Sequence, residues 1–456
     1  MANTLVSNPQ APQRISISDA ELRALTDLTL SHARKLGASA ADVEVSASVG
    51  QTVTVRMREV ETIEYNRDKG LSVTVYFDQK RGNASTSDLS REAVERTVAA
   101  ACAIAKYTAE DPFAGLADSA LMAREPFADL HLNEPWILEV DDAIAIAKET
   151  EAAAFAVDKR INNSEGASVS SHESQFIYAN SNGFAGGYLS SRASISAAVI
   201  AGGEGSMQRD YWYTTACGAS GLETAHTVGR KAGERCIARL GARRIPTCDA
   251  SVLYDPIMAS GLIGHFVGAV SGSSLYRKAS FLVDSLNQPI FSPQVTIREE
   301  PHLLGGLASS FFDAEGVATQ SRDVVREGKV CGYFLSSYSA RKLGMQTTGN
   351  AGGNHNLIVT PGDLDFAGLL RKMDRGLLVT ELMGQGVNNV TGDYSRGAVG
   401  FWVEGGEIRF PVEEVTIAGN LKQVFKNIVA VGNDVLVQGS RQTGSILVER
   451  MAIAGD

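Results

Sequence analysis

Residues 42–77 read DVEVSASVGQTVTVRMREVETIEYNRDKGLSVTVYF, and apolar or β-branched residues recur at every second position over most of this stretch. A period of two is typical of strands that bury one face. Glycine and charged residues interrupt the alternation at 49–51 and 68–70, and we interpret both places as turns. The stretch therefore predicts an antiparallel meander.

Helical periodicity flanks the meander on both sides. Ser18 and Glu21 form a capping-box pattern, leucines follow at helical spacing, and Gly37 ends the run. Helical spacing returns over residues 90–107. We therefore expect one helix before the meander and one after it.

A second stretch repeats this order of elements without convincing sequence similarity to the first. It predicts an alanine-rich helix over 141–157, strands over 168–201 and another helix over 221–240. An Asn-Gly pair at 182–183 indicates the turn between its strands. From 246 onward glycine is frequent and short β-rich segments dominate.

These patterns predict an α+β protein, with helices and antiparallel meanders in its N-terminal part and a β-dominated C-terminal domain. We expect five successive segments along the chain. They are a disordered tail, a helix-meander-helix unit, a linker, a second such unit and the C-terminal domain, at residues 1–17, 18–108, 109–135, 136–245 and 246–456.

The composition restricts the classes of function. The chain has 456 residues, 44% of them hydrophobic, and a formal net charge of −10. An acidic surface without basic clusters argues against nucleic-acid binding, and no apolar run is long enough for a membrane span. Five cysteines without a C-x-x-C pair indicate reduced thiols. We therefore expect a cytoplasmic protein, and the N-terminus has no signal-peptide pattern.

His265 lies in the apolar helical stretch LIGHFVGAVSG at 262–272 and raises the question of a metal site. Many zinc peptidases hold two histidines and a catalytic glutamate on one helix, as H-E-x-x-H. That motif is absent from the sequence, and no second histidine or carboxylate follows His265 within the next turn. His265 is either a partly buried helix histidine or a metal ligand, and we favour the first.

The sequence from Gly264 onward resembles a known family, TldD/PmbA. The similarity extends from the ADVEVSAS strand to the closing MAIAGD, in long segments with many glycines and polar residues. The segments are GHFVGAVSGSSLYRK (264–278), LASSFFDAEGVAT (307–319), SSYSARKLGMQTTGNAGG (336–353), VTELMGQGVNNVTGDYSRGAVGFWVEGGEI (379–408) and TIAGNLKQVFKNIVAVGND (416–434).

The resemblance distinguishes two branches of the family. In the TldD branch the corresponding helix reads H-E-x-x-x-H. Its two histidines and a cysteine near the C-terminus hold zinc, and the glutamate is the catalytic base. Here Phe266 and Val270 stand at the glutamate and second-histidine positions, and 435–449 contains no cysteine. Apolar side chains neither bind Zn²⁺ nor accept a proton, so the chain resembles the PmbA branch, also called TldE.

The resemblance implies a non-catalytic subunit that pairs with a TldD-type subunit in a cytosolic zinc metalloprotease. The zinc then belongs to the partner, no cofactor is expected in this chain, and the pair acts on unfolded or peptide substrates, including the maturation of peptide antibiotics. The family's older description as modulators of DNA gyrase is compatible with an indirect effect of proteolysis. Whether the chain forms a homodimer without its partner stays open.

The run TGDYSRG at 391–397 is the most distinctive polar stretch. It lies between β-rich segments, and one interpretation is a loop in which Asp393, Tyr394, Ser395 and Arg396 contact substrate. Arg396 would then hold a carboxylate through two hydrogen bonds. The other interpretation, which we favour, is a tight turn in which Asp393 and Arg396 pair with each other.

The glycine-rich run TTGNAGGNH at 347–355 resembles a phosphate-binding loop but lacks the Lys-Ser/Thr end of a P-loop. We interpret it as a flexible turn near the cleft. His355 from this run and His302 are histidines that the fold could bring to His265. His265 and His355 complete the candidate substrate-binding set, and no residue is assigned to catalysis or to a metal.

Two other functions stay open from the sequence. An independent hydrolase would use residues that no motif reveals, and its activity would depend on His265 or His355. A protein-binding module would dock on another protein and take no part in proteolysis.

Overall fold

The structure, a computed structural model, describes residues 15–203 and 205–455. Within these residues the helices are α1 Asp19–Lys35, α2 Arg91–Tyr107, α3 Val140–Phe155, α4 Ala225–Ala238, α5 Pro256–Ala269, α6 Gly272–Tyr276, α7 Ser337–Leu343, α8 Phe366–Met373 and α9 Leu421–Lys426. The strands are β1 Ala40–Arg56, β2 Glu59–Phe77, β3 Lys80–Thr86, β4 Ile161–Asn180, β5 Ala185–Ala201, β6 Gln208–Ala216, β7 Cys248–Tyr254, β8 Ile297–Glu299, β9 Arg322–Arg326, β10 Lys329–Val330, β11 Leu357–Val359, β12 Gly376–Met383, β13 Asp393–Glu404, β14 Glu407–Asn420, β15 Ile428–Val431, β16 Arg441–Gln442 and β17 Ile446–Ala454. This mixture of helices and sheets confirms the α+β prediction.

The N-terminal half is built on one antiparallel sheet with the strand order β3-β2-β1-β4-β5-β6. On one face of β1, Val43 and Val45 pack with residues of α1 and α2, and Val53 and Val55 pack with residues of α3 and α4. Both predicted helix-meander-helix units contribute strands to this sheet, because β1 pairs with β4 along most of its length. The division into domains stays a prediction.

The turns predicted at 49–51 and 68–70 are wrong, because β1 and β2 run through both places. The strands reverse instead at Met57–Arg58, where both residues have positive φ, 51° and 69°. Gly50 marks a close approach and not a turn. A Cβ on Gly50 would lie 1.9 Å from Nδ1 of His172 on β4.

Two local predictions in the N-terminal half are confirmed. The hydroxyl of Ser18 accepts the backbone N–H of Glu21, and the Glu21 carboxylate accepts the backbone N–H of Ser18, which completes the capping box of α1. The turn predicted at 182–183 joins β4 to β5.

The segments predicted as a tail and a linker make defined contacts where the structure describes them. Residues 1–14 of the predicted tail lie outside the described residues, whereas Ile15 is buried against Ala47 and Leu189. Residues 109–135 contain little regular structure. The guanidinium of Arg341 on α7 nevertheless donates hydrogen bonds to three backbone carbonyls of this segment, and it thereby joins the segment to the C-terminal part.

The C-terminal part consists of two sheets with α5 between them. A six-stranded mixed sheet has the order β14-β13-β12-β7-β17-β15, and a five-stranded sheet has the order β10-β9-β8-β11-β16. α5 contacts β7 and β12 of the first sheet and β16 of the second. The apolar residues of α5 belong to a core cluster that also contains residues of both sheets. The two sheets therefore determine which side chains reach His265.

None of the five cysteines forms a disulfide, and Cys102, Cys217 and Cys236 are buried. In the part of the chain that the structure describes, no helix combines the length and the apolar character that a membrane span requires.

Candidate functional site

α5 carries His265 into the C-terminal core. The Asp255 side chain caps the helix by accepting the backbone N–H of Met258 at 2.9 Å, and Pro256 suits the first turn because its φ is fixed. One face of the helix is buried at three- and four-residue spacing. Its residues are Ala259, Leu262, Ile263, Phe266 and Ala269. His265 lies beside this face and is partly buried.

Phe266 and Val270, which stand where the TldD branch has its base and second histidine, are core residues. Both are 0% exposed. The Phe266 ring makes edge-to-face contacts with Phe291 and Phe425, at centroid distances of 5.0 Å and 6.3 Å. Val270 is the C-cap residue, so the helix ends where the second histidine would stand.

The prediction of a loop at 391–397 is wrong from Asp393 onward, because β13 begins there and pairs with β12 and β14. Alternate residues of a strand point to opposite faces. Tyr394 and Arg396 therefore share one face, and Asp393 and Ser395 lie on the other. The structure thus separates the four predicted residues of this run into two pairs.

Tyr394 forms a wall of the site beside His265. The two rings meet edge to face with centroids 5.7 Å apart, and Tyr394 is 2% exposed. Tyr254 lies at the end of β7, and its hydroxyl donates a hydrogen bond to the sulfur of Met451 at 3.2 Å. Burial raises the pKa of both phenols above their usual range, so both are neutral hydrogen-bonding groups at physiological pH.

Two guanidinium groups act on His265. One is that of Arg396 on β13. The other is that of Arg441 on β16, which lies against α5, since a Cβ built on Gly264 would be 3.0 Å from its Nη1. Burial first, and then the charges of Arg396 and Arg441, lower the pKa of His265. The imidazole is therefore neutral at pH 7.

Asp393 is held by its own neighbours. Its carboxylate accepts the Thr391 hydroxyl at 2.6 Å and the Asn420 amide at 3.1 Å, and these bonds lower its pKa. The alternative of an Asp393–Arg396 pair is wrong, because the Nε of Arg396 donates instead to a backbone carbonyl of β12 at 3.0 Å. Ser395 is exposed.

His355 and His302 lie at another place in the C-terminal part. Nε2 of His355 is 2.9 Å from the carbonyl oxygen of Gly349, and its backbone N–H donates to the buried carboxylate of Glu299 at 2.8 Å. Nε2 of His302 is 3.0 Å from the Thr319 hydroxyl. In the described structure neither histidine makes a hydrogen bond or ring contact with His265.

The donor set around His265 does not fit a zinc site. Phe266 and Val270 are apolar, and the residue of 435–449 whose side chain lies against Gly264 is the cationic Arg441. Within residues 15–203 and 205–455, no three His, Cys, Asp or Glu side chains are grouped so that they could hold a metal. Arg441 was not predicted from the sequence, although the absence of a cysteine from this stretch raises the question of which residue replaces it.

A cavity of about 580 Å³ was also not predicted. It lies between α4 and the beginning of α5, and Trp212 and Phe401 contribute to its apolar walls. Asp210, Arg235 and Asp255 form an ion-paired cluster at its edge, with Arg235 3.1 Å from Asp210 and 3.6 Å from Asp255. Its lining comes from widely separated segments of the chain, so no single stretch of sequence indicates it.

Comparison with protein families matches three successive parts of the chain. Residues 41–105, 133–240 and 247–455 match domain 1, the central domain and the C-terminal domain of the PmbA/TldA metallopeptidases. These matches cover most of the chain.

Individual relatives agree with these matches. The chain is 47% identical to Metalloprotease PmbA of Escherichia coli O157:H7, across 100% of this chain and 99% of that protein. It is 46% identical to the Metalloprotease PmbA homolog of Haemophilus influenzae, across 97% of this chain and 98% of the homolog.

Solved structures are similar over nearly the whole chain. A protein from Bacteroides thetaiotaomicron described as a modulator of DNA gyrase is 31% identical, with a TM-score of 0.91 over 96% of this chain and 100% of that chain. TldE from Thermococcus kodakarensis is 19% identical, with a TM-score of 0.84 over 94% of this chain and 100% of that chain, and shares the fold.

Proposed function

The chain belongs to the PmbA/TldA metallopeptidase family, and from this premise we propose that it is a catalytically silent subunit of a cytoplasmic zinc protease complex. Its partner would be a TldD-type subunit that holds the zinc. The complex would act on unfolded or peptide substrates, and this chain would supply part of the surface that contacts them.

One observation carries the proposal of catalytic silence. Phe266 and Val270 are not only apolar but fully buried. A metal-bound water needs a base beside it and several ligands around the ion. A carboxylate at the first position would have to displace a ring packed on Phe291 and Phe425. The packing of this site therefore favours a structural helix over a degraded catalytic one.

His265 would contact substrate and would not activate water. As a neutral imidazole it offers one N–H donor and one acceptor. Tyr394 fixes one side of its ring. A neutral, partly exposed hydrogen-bonding group suits the backbone amides of an extended peptide.

The experiment that tests the proposal compares three preparations in a peptide hydrolysis assay: the chain alone, the TldD-type subunit of the same organism alone, and both together. We expect hydrolysis only where the TldD-type subunit is present, with the highest rate in a complex that co-elutes in gel filtration. We expect His265→Ala in the complex to raise KM more than it lowers kcat.

Two results would overturn the proposal in different ways. Chelator-sensitive hydrolysis by the chain alone, abolished by His265→Ala, would make it an independent hydrolase. A chain that neither binds the TldD-type subunit nor changes its turnover would instead be a binding module without a role in this proteolysis.

A further inference from the structure

Arg441 carries a positive charge that no residue of the described structure neutralises. Its Nε is buried without a hydrogen-bond partner, and the guanidinium has no ion-pair partner among residues 15–203 and 205–455. Burial lowers its pKa from the usual value. Placing an unpaired cation in a partly buried site is energetically costly, so a charge of this kind calls for an explanation.

The fold holds this guanidinium against α5. β16 pairs in parallel with β11, with Arg441 opposite Leu357. The side chain then reaches the helix at Gly264, where a Cβ would lie 3.0 Å from Nη1 and 3.2 Å from Cζ. Glycine at this position therefore leaves the space that the guanidinium occupies.

Arg396 brings a second cation near His265, because it shares a strand face with Tyr394, whose ring contacts that of His265. Its Nε is bonded to a backbone carbonyl, and the described chain offers its guanidinium no carboxylate partner. Both arginines act electrostatically on His265. Two cations thus lie near one neutral imidazole, and the described residues place no acidic partner on either of them, which is an arrangement suited to binding an anion.

We propose that Arg441 and Arg396 bind a carboxylate of the peptide substrate, with His265 as a neighbouring neutral donor. This inference rests on the proposed function, since it names the class of peptide that the chain would recognise. The carboxylate is either the C-terminus of the peptide or an acidic side chain. The planar guanidinium suits both because it can donate two parallel hydrogen bonds to a carboxylate.

The test measures binding of three fluorescent N-acetylated hexapeptides to the complete chain, alone and with the TldD-type subunit. One peptide ends in a free carboxylate, one is the same sequence amidated, and one is amidated with an internal glutamate. Arg441→Met removes the charge, Arg441→Lys keeps the charge without the fork, and Arg450→Met removes a surface charge as a control.

We expect the free-carboxylate peptide or the glutamate peptide to bind at least tenfold more tightly than the neutral amide. The peptide that binds more tightly identifies the carboxylate as a C-terminus or as an acidic side chain. Arg441→Met should abolish that preference, Arg441→Lys should weaken it, and Arg450→Met should leave it unchanged. Equal binding of all three peptides would overturn the inference while leaving the protease complex intact. If the chain keeps its preference for the carboxylate peptide but its complex with the TldD-type subunit hydrolyses no peptide, the proposed function would be contradicted and this inference would stand.

Discussion

The packing of Phe266 allows a quantitative prediction for Phe266→Glu, which restores the charge of the missing base. The ring is 0% exposed and contacts Phe291 and Phe425 edge to face. Loss of a buried phenylalanine ring costs about 3–5 kcal/mol. The new carboxyl would also have to stay protonated in an apolar site. Each unit of pKa increase costs about 1.4 kcal/mol, and two units would cost about 3 kcal/mol at pH 7.

We therefore expect Phe266→Glu to lower the free energy of unfolding by about 5 kcal/mol or more at pH 7. Phe266→Leu is the matched control, since it keeps an apolar side chain and should cost about 1–1.5 kcal/mol. The sign of the pH dependence follows from burial. The pKa of the introduced carboxyl is raised in the folded state, so its penalty is small below about pH 4 and grows as pH rises toward 7.

Urea unfolding of both variants at pH 4 and pH 7, followed by tryptophan fluorescence, measures these quantities. Phe266→Glu as stable as Phe266→Leu at pH 7 would refute the reasoning, because it would show that the site accepts a charge. Full peptidase activity of Phe266→Glu/Val270→His in the chain alone would refute the wider argument, since the third zinc ligand is also missing.

Four further predictions concern packing and protonation. Gly229→Ala on α4 would place a Cβ 1.9 Å from the carbonyl oxygen of Thr150 on α3, and we expect a loss of about 2–3 kcal/mol in urea unfolding. Gly261→Ala on α5 meets no atom within 4 Å and should instead stabilise by about 0.5–1 kcal/mol. Burial raises the pKa of Asp255 to about 6, so its contribution to stability is present below pH 3.8 and is lost as pH rises through 6. The free energy of unfolding of the unchanged protein, minus that of Asp255→Asn, which keeps the helix cap, should therefore fall by on the order of 3 kcal/mol over that range. A difference that does not change with pH would contradict this. Removing a positive charge in Arg441→Met should raise the pKa of His265 in an NMR titration, and an unchanged value would show that Arg441 does not act on the imidazole.

The sequence predicted elements well where one physical signal dominates. The capping box at Ser18 and the Asn-Gly turn at 182–183 depend on a few adjacent residues, and both are formed. Glycine was the less reliable signal. Gly50 lies within β1, where the His172 ring occupies the space that a side chain at position 50 would need. Such a contact between strands that are distant in sequence cannot be predicted from the neighbouring residues.

The candidate site was predicted only in part, for a similar reason. The alternation of β13 brings Tyr394 and Arg396 to His265 but directs Asp393 and Ser395 away, and this required the start of the strand to be known. Arg441 comes from a short strand whose place is set by pairing with β11. His355, by contrast, forms a hydrogen bond with a backbone carbonyl of its own turn.

The central claim, that this chain has no catalytic zinc of its own, is tested most directly by its metal content. Elemental mass spectrometry of the purified chain, made without a histidine tag and separated from any TldD-type subunit, gives the number of zinc ions per chain. We expect far less than one zinc ion per chain. A chelator-sensitive content near one zinc per chain, lost in His265→Ala, would contradict it and would place a metal site at the helix where only His265 can serve as a ligand.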